Sequence, residues 1–313
     1  MGENMCKKVT NYYQGIYLTE TIMGNPNGDF IDNSPRNFDG KVFTTDKCIK
    51  YNVRKYIHDT IEDLESEKDI VFFYPRLVEG ANVTDSSFLT RDDVYKKFFD
   101  EDFEKLLNIS PDVRMFGGTF SFSKDPKQIY GPIQLSYGVD LNNAQIKRLQ
   151  IGAPFATNNG QQTTNGSEYV VDDAIISYDI IINPNVFPGL LSEHDLNLFK
   201  EALWFGTNLR KSTSKKTDSK LLLLIKFKND GNKTKCINIG ELKDLINIIN
   251  KKEHKSGEKI IKIDSTNLSK KLTQYKEYID CIEICCDKNE IIMDVDEFEG
   301  DIEIKYYSPD KLL

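Results

Sequence analysis

Residues 15 to 64 place one strand, one tight loop and one helix in immediate succession, and that order dictates how the chain can begin to fold. From Gly15 to Ile22 the residues alternate, with Ile16, Leu18 and Glu20 to one side and Tyr17, Thr19 and Thr21 to the other, which is the period of a β-strand. The strand runs directly into Gly24-Asn25-Pro26-Asn27-Gly28-Asp29, whose small turn-forming residues stop it and expose backbone N–H groups. Beyond Pro35-Arg36, Thr44 or Thr45 is a natural N-cap. Ile49, Val53, Ile57, Ile61 and Leu64 then recur every three or four residues as the buried stripe of a helix. Lys47, Lys50 and Arg54 fall on its opposite face. Exposed amides followed by a helix N-terminus with cations suit an anion such as a phosphate backbone, although every amphipathic helix has a polar face.

Further short strands are expected at Ile70 to Phe73, Ile133 to Val139 and Ala174 to Ile182, the last apolar enough to be central. Ser192 with Asp195 resembles a capping box, ahead of a helix whose stripe is Leu196, Phe199 and Leu203 and whose stop is Gly206. Leu221 to Phe227 reads as a strand, Glu241 to Asn250 as a third helix, and Tyr278 to Cys285 and Ile302 to Tyr306 as late strands. This order predicts an α+β fold with helices on one sheet face, the ferredoxin-like plan of the RNA recognition motif. Two polar stretches, Phe155 to Ser167 and Thr207 to Ser219, are long for loops of a compact sandwich and carry function or disorder.

The first residues lack the apolar run of a signal peptide, no later run is long enough to span a membrane, and Cys6 breaks a myristoylation motif, so a cytoplasmic protein is expected. Six cysteines without a CxxC pair and three histidines argue against zinc, and Cys281, Cys285 and Cys286 read as buried small hydrophobes. A net charge of -8 at first opposes a nucleic-acid partner. It is localised, however: Asp280 to Leu313 holds 11 acidic and 3 basic residues, which is the whole of it. Arg210 to Lys235 carries nine cations (Arg210, Lys211, Lys215, Lys216, Lys220, Lys226, Lys228, Lys233 and Lys235) against two acids, a local +7 compatible with RNA.

No P-loop, GxGxxG, GxSxG or HExxH is present, which shifts weight from catalysis to binding. Asp29 and Asp32 either hold a metal for phosphodiester cleavage or close the turn. Asp112-Val113-Arg114-Met115-Phe116-Gly117-Gly118 offers a cation, an aromatic ring and glycines, the residue types of phosphate contact, base stacking and close backbone approach. Its other reading is a core Phe beside a tight turn with a local ion pair. The hydroxyls and cations of Thr207 to Lys220 either bind phosphates or form a solvated loop.

In order along residues 16 to 228, the motifs Asn25-Pro26-Asn27-Gly28-Asp29, Asn33-Ser34-Pro35-Arg36, Thr45-Asp46 to Lys50 and Arg54, Asp112 to Gly117, Gly131-Pro132-Ile133-Gln134, and Arg210-Lys211-Ser212 resemble the CRISPR-associated protein "seven" family. That family supplies the backbone subunit of type I surveillance complexes, and subtype I-B is the best match. The resemblance implies an RNA-recognition-motif-like palm spanning residues 1–313, with insertions near 74–132 and 153–170, the latter a thumb, and an acidic part at 280–313. It implies a non-catalytic subunit without a cofactor, several copies of which stack along CRISPR RNA and present it to target DNA beside large, small and 5′-end-capping subunits. The alternative is a metal-dependent ribonuclease like the related type III subunits. Carried over by position, Asn27, Gly28, Arg36, Lys47, Lys50, Arg54, Arg114, Phe116 and Gly117 line the RNA groove, and Arg210, Lys211, Lys215 and Lys216 extend it. Where the family often has a Lys-Arg pair, this chain has Lys50-Tyr51, and a tyrosine supplies no charge.

Overall fold

The computed structural model describes residues 7–80, 87–122, 126–153, 164–229, 231, 236–249, 260–293 and 302–313. Its strands are β1 (Tyr13–Gly24), β2 (Asn37–Phe38), β3 (Lys41–Thr44), β4 (Gly117–Phe120), β5 (Lys127–Tyr130), β6 (Ile133–Leu135), β7 (Gly138–Asp140) and β8 (Ile146–Ala153), followed by β9 (Thr164–Ile182) and β10 (Thr217–Phe227). Then come β11 (Asn247–Ile249), β12 (Ile261–Asp264), β13 (Ile279–Cys286), β14 (Ile291–Met293) and β15 (Glu303–Tyr307). The helices are α1 (Asp46–Thr60), α2 (Arg91–Phe99), α3 (Phe103–Ile109), α4 (Pro111–Phe116), α5 (Glu193–Leu209) and α6 (Thr266–Tyr275).

One large sheet runs β15-β13-β10-β1-β9-β7-β3-β2, with β6 and β8 also hydrogen-bonded to β9. At its centre β1 pairs antiparallel with both β10 and β9. With β6 and β7 counted as one interrupted strand and the inserted elements set aside, the path β1-α1-β6/β7-β9-α5-β10 is strand, helix, strand, strand, helix, strand. Alternation along β1 sends Tyr13 and Tyr17 into a core with Ile49, Val53 and Ile57 of α1 and Phe199 and Leu203 of α5. Its other face does not meet water. Ile16 and Leu18 pack with Leu221 and Leu223 of β10 against Ile239, Leu242, Ile263, Leu268 and Leu272. The expectation of helices on one sheet face is therefore corrected: α6 and the small sheet β11-β12-β14 cover the second face. A third core joins Ile70 and Phe72 to Phe99, Leu106, Phe120 and Phe122.

Several local expectations change for identifiable reasons. Ile70 to Phe73 joins no strand and bends at Phe72 and Phe73, because carboxylates take its amides: Glu62 accepts from Val71 at 2.9 Å, and Asp112 accepts from Phe72 at 2.9 Å and Phe73 at 3.1 Å. Of the helix expected over Glu241 to Asn250, Asn250 lies outside the described residues and Glu241 to Ile249 is not an α-helix. Asp179 accepts the amides of Leu242 at 2.9 Å and Lys243 at 3.3 Å, which holds one 3-10 turn, and the β-branched residues after it enter β11. Ile133 to Val139 breaks into β6 and β7 around Ser136 and Tyr137. The α1 stripe ends early, since the helix stops at Thr60 and Leu64 is exposed.

The capping box forms at the start of α5, where Ser192 and Asp195 exchange hydrogen bonds. Gly206 does not stop that helix, which runs on to Leu209. It sits where α5 crosses α1, and a Cβ there would stand 2.5 Å from the Asn52 carbonyl oxygen. Contact between the two helix backbones is what requires a glycine. The expected late strands form as β13 and β15, so the acidic C-terminal part closes one edge of the large sheet.

Candidate nucleic-acid interface

The loop after β1 is built on its own polar groups. Asn27 Oδ1 accepts from the Thr45 amide at 3.0 Å and the Thr45 hydroxyl at 3.2 Å, so the loop is tied to the N-terminus of α1. Thr45 is the N-cap residue, yet its hydroxyl serves Asn27 and makes no cap bond within the helix. Gly28 forms a bridge with Pro35, and the Arg36 amide donates to the Asn27 carbonyl at 3.0 Å. Asp29 and Asp32 each accept an amide two residues on, from Ile31 at 2.8 Å and Ser34 at 2.9 Å, and Asp29 also meets the Arg36 guanidinium at 3.4 Å. Both carboxylates thereby close turns.

A second loop, between α5 and β10, lies against the first. The Asn25 amide donates to the Ser214 carbonyl at 2.7 Å, and Lys215 Nζ donates to the Asn25 carbonyl at 3.0 Å. Burial, with Arg210 adding repulsion, holds the Lys215 ammonium below its ordinary pKa. Arg210 donates to Asn52 Oδ1 at 2.9 Å and lies 4.9 Å from the centre of the Tyr51 ring. The departure at Tyr51 thus has a local use, as the platform beneath a guanidinium. Lys211 is held by Asp218 at 2.5 Å and by the Thr217 carbonyl, whereas Lys47 and Lys216 are exposed.

The structure divides the sequence-derived set. Asn27, Gly28, Arg36 and Lys47 gather with Arg210, Lys211, Lys215 and Lys216 around the paired loops. Lys50 is braced by Asp46 at 3.0 Å and Arg54 by Asp112 at 2.9 Å, and both cations lie over the Phe116 ring at 5.4 and 5.3 Å. Arg114, Phe116 and Gly117 belong to the frame. The Arg114 guanidinium is buried, bound to both oxygens of Asp195 at 2.8 to 3.1 Å and to the carbonyls of Leu107 at 3.1 Å and Asn108 at 2.6 Å. Its donors are committed, so as a phosphate contact it is corrected. Phe116 is buried edge-on to Phe199, and Gly117, at φ +65°, turns the end of α4 into β4. The local ion pair expected between Asp112 and Arg114 is exchanged for Asp112 with Arg54 and Arg114 with Asp195.

Asn52 was missed from the sequence. It is buried on α1, and the signal was a polar residue three positions from Ile49 in an otherwise apolar stripe. Lys233 and Lys235 of the basic segment, and most of Phe155 to Ser167, lie outside the described residues. The flanks of that stretch pair as the β8–β9 ribbon, from Ile146 with Val171 to Ala153 with Thr164.

Among the described residues no group of three or more His, Cys, Asp or Glu is placed to hold a metal ion. Cys281, Cys285 and Cys286 are buried, and burial pushes the Cys285 thiol up to about 12, where it is unreactive. No described helix is long and apolar enough to cross a membrane.

A family model described as CRISPR-associated protein Cas7 matches residues 11–271. The chain belongs to the Cas7 family. No curated protein sequence matches it. Among solved structures, a chain titled "CRISPR RNA-guided surveillance complex" is similar at a TM-score of 0.54 and 10% identity, over 96% of both chains. Another, titled "CRISPR RNA-guided surveillance complex, pre-nicking", gives 0.53 and 11%, over 96% of this chain and 97% of that one. At such identities the likeness shows a shared fold, which here extends past the family match to nearly the whole Cas7 chain.

Proposed function

We propose that this Cas7 family member is a non-catalytic backbone subunit of a type I-B CRISPR surveillance complex in the cytoplasm. Several copies bind one CRISPR RNA along its phosphates and leave its bases to pair with target DNA, alongside large, small and 5′-end-capping subunits. One observation carries the reading: the Asn27–Gly28 turn, the N-terminus of α1 and the Arg210–Lys216 loop, about 190 residues apart in sequence, are hydrogen-bonded into one surface. Backbone amides, a helix N-terminus and cations on that surface match the demands of a phosphate chain, with no base-reading side chain required. The β-α-β-β-α-β order supports an RNA-recognition-motif-like palm, and the β8–β9 ribbon is the proposed thumb. Commitment of Asp29 and Asp32 to loop amides favours the non-catalytic reading over the metal-dependent ribonuclease.

Purified protein is expected to carry nucleic acid and to bind single-stranded RNA with an affinity that falls steeply with salt. Lys47→Ala and Lys216→Ala each reduce the slope of log affinity against log salt by about 0.7, one released counterion on a single strand. Protein that ignores RNA at low salt, or slopes unmoved by both changes, overturns the proposal.

A further inference from the structure

The loop after β1 ends in a tip that the RNA surface leaves unused. Phe30 and Ile31 are 97% and 95% exposed, the most exposed large apolar side chains among the described residues. Two large apolar side chains exposed side by side call for a partner that removes them from water. The tip is also rigid. The Asp29 and Asp32 turns pin it, the Asp29 amide donates to the Ser34 carbonyl at 2.8 Å, and the Arg36 guanidinium lies 5.2 Å from the centre of the Phe30 ring. A partner therefore loses little entropy in ordering it.

A recess of about 360 Å³ with matching chemistry lies at the β3–β7 end of the large sheet, walled by Phe38, Phe43, Tyr137, Val139 and Lys41. Phe43 and Tyr137 stack there with ring centres 6.2 Å apart, and Phe38 and Tyr137 stand largely exposed at its rim. Charge selects the occupant. The tip reads Asp29-Phe30-Ile31-Asp32, and hydrogen bonds from the backbone and side chain of Ser34 keep the exposed Asp32 carboxyl below its usual range, hence ionised. Acids flanking an apolar tip repel phosphate but complement a recess whose charged wall residue is Lys41. Since Phe30 is almost wholly exposed, the tip does not fill its own chain's recess.

We propose that the Phe30–Ile31 tip of one copy seats in the Phe38–Phe43–Tyr137 recess of the next copy, with Asp32 facing Lys41. The proposal rests on the reading of the chain as a filament subunit and names the surfaces in contact. Each copy carries one tip and one recess, so the contact is heterologous and propagates.

Sedimentation of nuclease-treated protein, alone and with single-stranded RNA several subunits long, tests it. Phe30→Asp with Ile31→Asp removes the tip, and Phe38→Asp removes the recess. Each variant alone is expected to assemble roughly tenfold or more weakly than the parent. Mixed together they form dimers that grow no further, because one intact tip and one intact recess remain, and this pairing also shows that both variants fold. Asp32→Lys and Lys41→Glu each weaken assembly, and the chain carrying both regains it. A parent that stays monomeric in both arms, or variants that assemble like the parent, overturns the contact. So does a tip variant that keeps assembly but loses binding of an RNA short enough for one copy, because the tip then touches nucleic acid. That short RNA separates the two readings: a parent that assembles but does not bind it refutes the RNA function and leaves the contact standing.

Discussion

Asp112 anchors three segments at once, and removing it is expected to be the most damaging single change near the candidate surface. Its carboxylate is fully buried and accepts from the amides of Phe72 and Phe73, from the Ser110 hydroxyl at 2.8 Å and from Arg54 Nε at 2.9 Å. Asp112→Ala strands both amides at about 1–3 kcal/mol each. Arg54 loses its partner too, but at 15% side-chain exposure it can turn to water, so the full 3–5 kcal/mol of a broken buried pair does not apply. The hydroxyl can re-aim. The two amides alone sum to about 2–6 kcal/mol, a large share of the roughly 5–15 kcal/mol that holds a typical protein folded. Asp112→Asn keeps the oxygen facing Phe72 and Ser110 but turns an NH₂ toward Arg54 and Phe73, so it is expected to cost about 2 kcal/mol. Urea unfolding followed by fluorescence of Trp204, the single tryptophan and itself buried, reads both. An alanine variant within about 1 kcal/mol of the parent, or an asparagine variant as damaged as alanine, refutes this account of the anchor.

Three further outcomes are expected. Gly206→Ala presses a methyl group onto the Asn52 carbonyl and destabilises by about 1–3 kcal/mol, measured by the same unfolding assay. Burial raises the Glu62 carboxyl, but hydrogen bonds from His58, Arg76 and the Val71 amide overcome it and hold the pKa at about 2. Its contribution is therefore present above the unfolded carboxylate range and lost as pH falls through about 2. Allowing for water at the rim of the cluster, Glu62→Gln costs about 2 kcal/mol at neutral pH and little at the acid end of a pH series. His194 is raised chiefly by its hydrogen bond to Asp69 at 3.2 Å, so its contribution is full below the unfolded value of about 6.5 and is lost as pH rises through the folded one. Stability of the parent should fall relative to His194→Gln as pH rises above about 6.5, and parallel curves would contradict the pairing.

What the sequence revealed was local. The Ser192–Asp195 box, the Ile49–Val53–Ile57 stripe and the Asn27 turn are each written within a few neighbouring residues, and propensity and period suffice to read them. Arg114 was illegible because its partner, Asp195, lies 81 residues away, and a buried cation cannot be told from an exposed one by its neighbours in sequence. Ile70 to Phe73 has the composition of a strand, but its amides are satisfied by Glu62 and Asp112, a contest decided by tertiary structure. Gly206 had the right residue type for a helix stop and the wrong reason, since the demand for a missing side chain came from α1. The Lys215–Asn25 clasp spans 190 residues and left no local trace.

The 19 residues of β9 serve two structures in succession, pairing with β8 up to Val171 and with β1 from Val171 onward. Val171 is where the ribbon takes root in the sheet, and its partner across β1 is Gly24, the residue at which the Asn25–Asp29 loop departs. The ladder skips the pair beside that joint, where Met23 stands at φ +48°, and resumes with Val171 opposite Gly24, so the root of the ribbon and the foot of the loop share a single pair of residues.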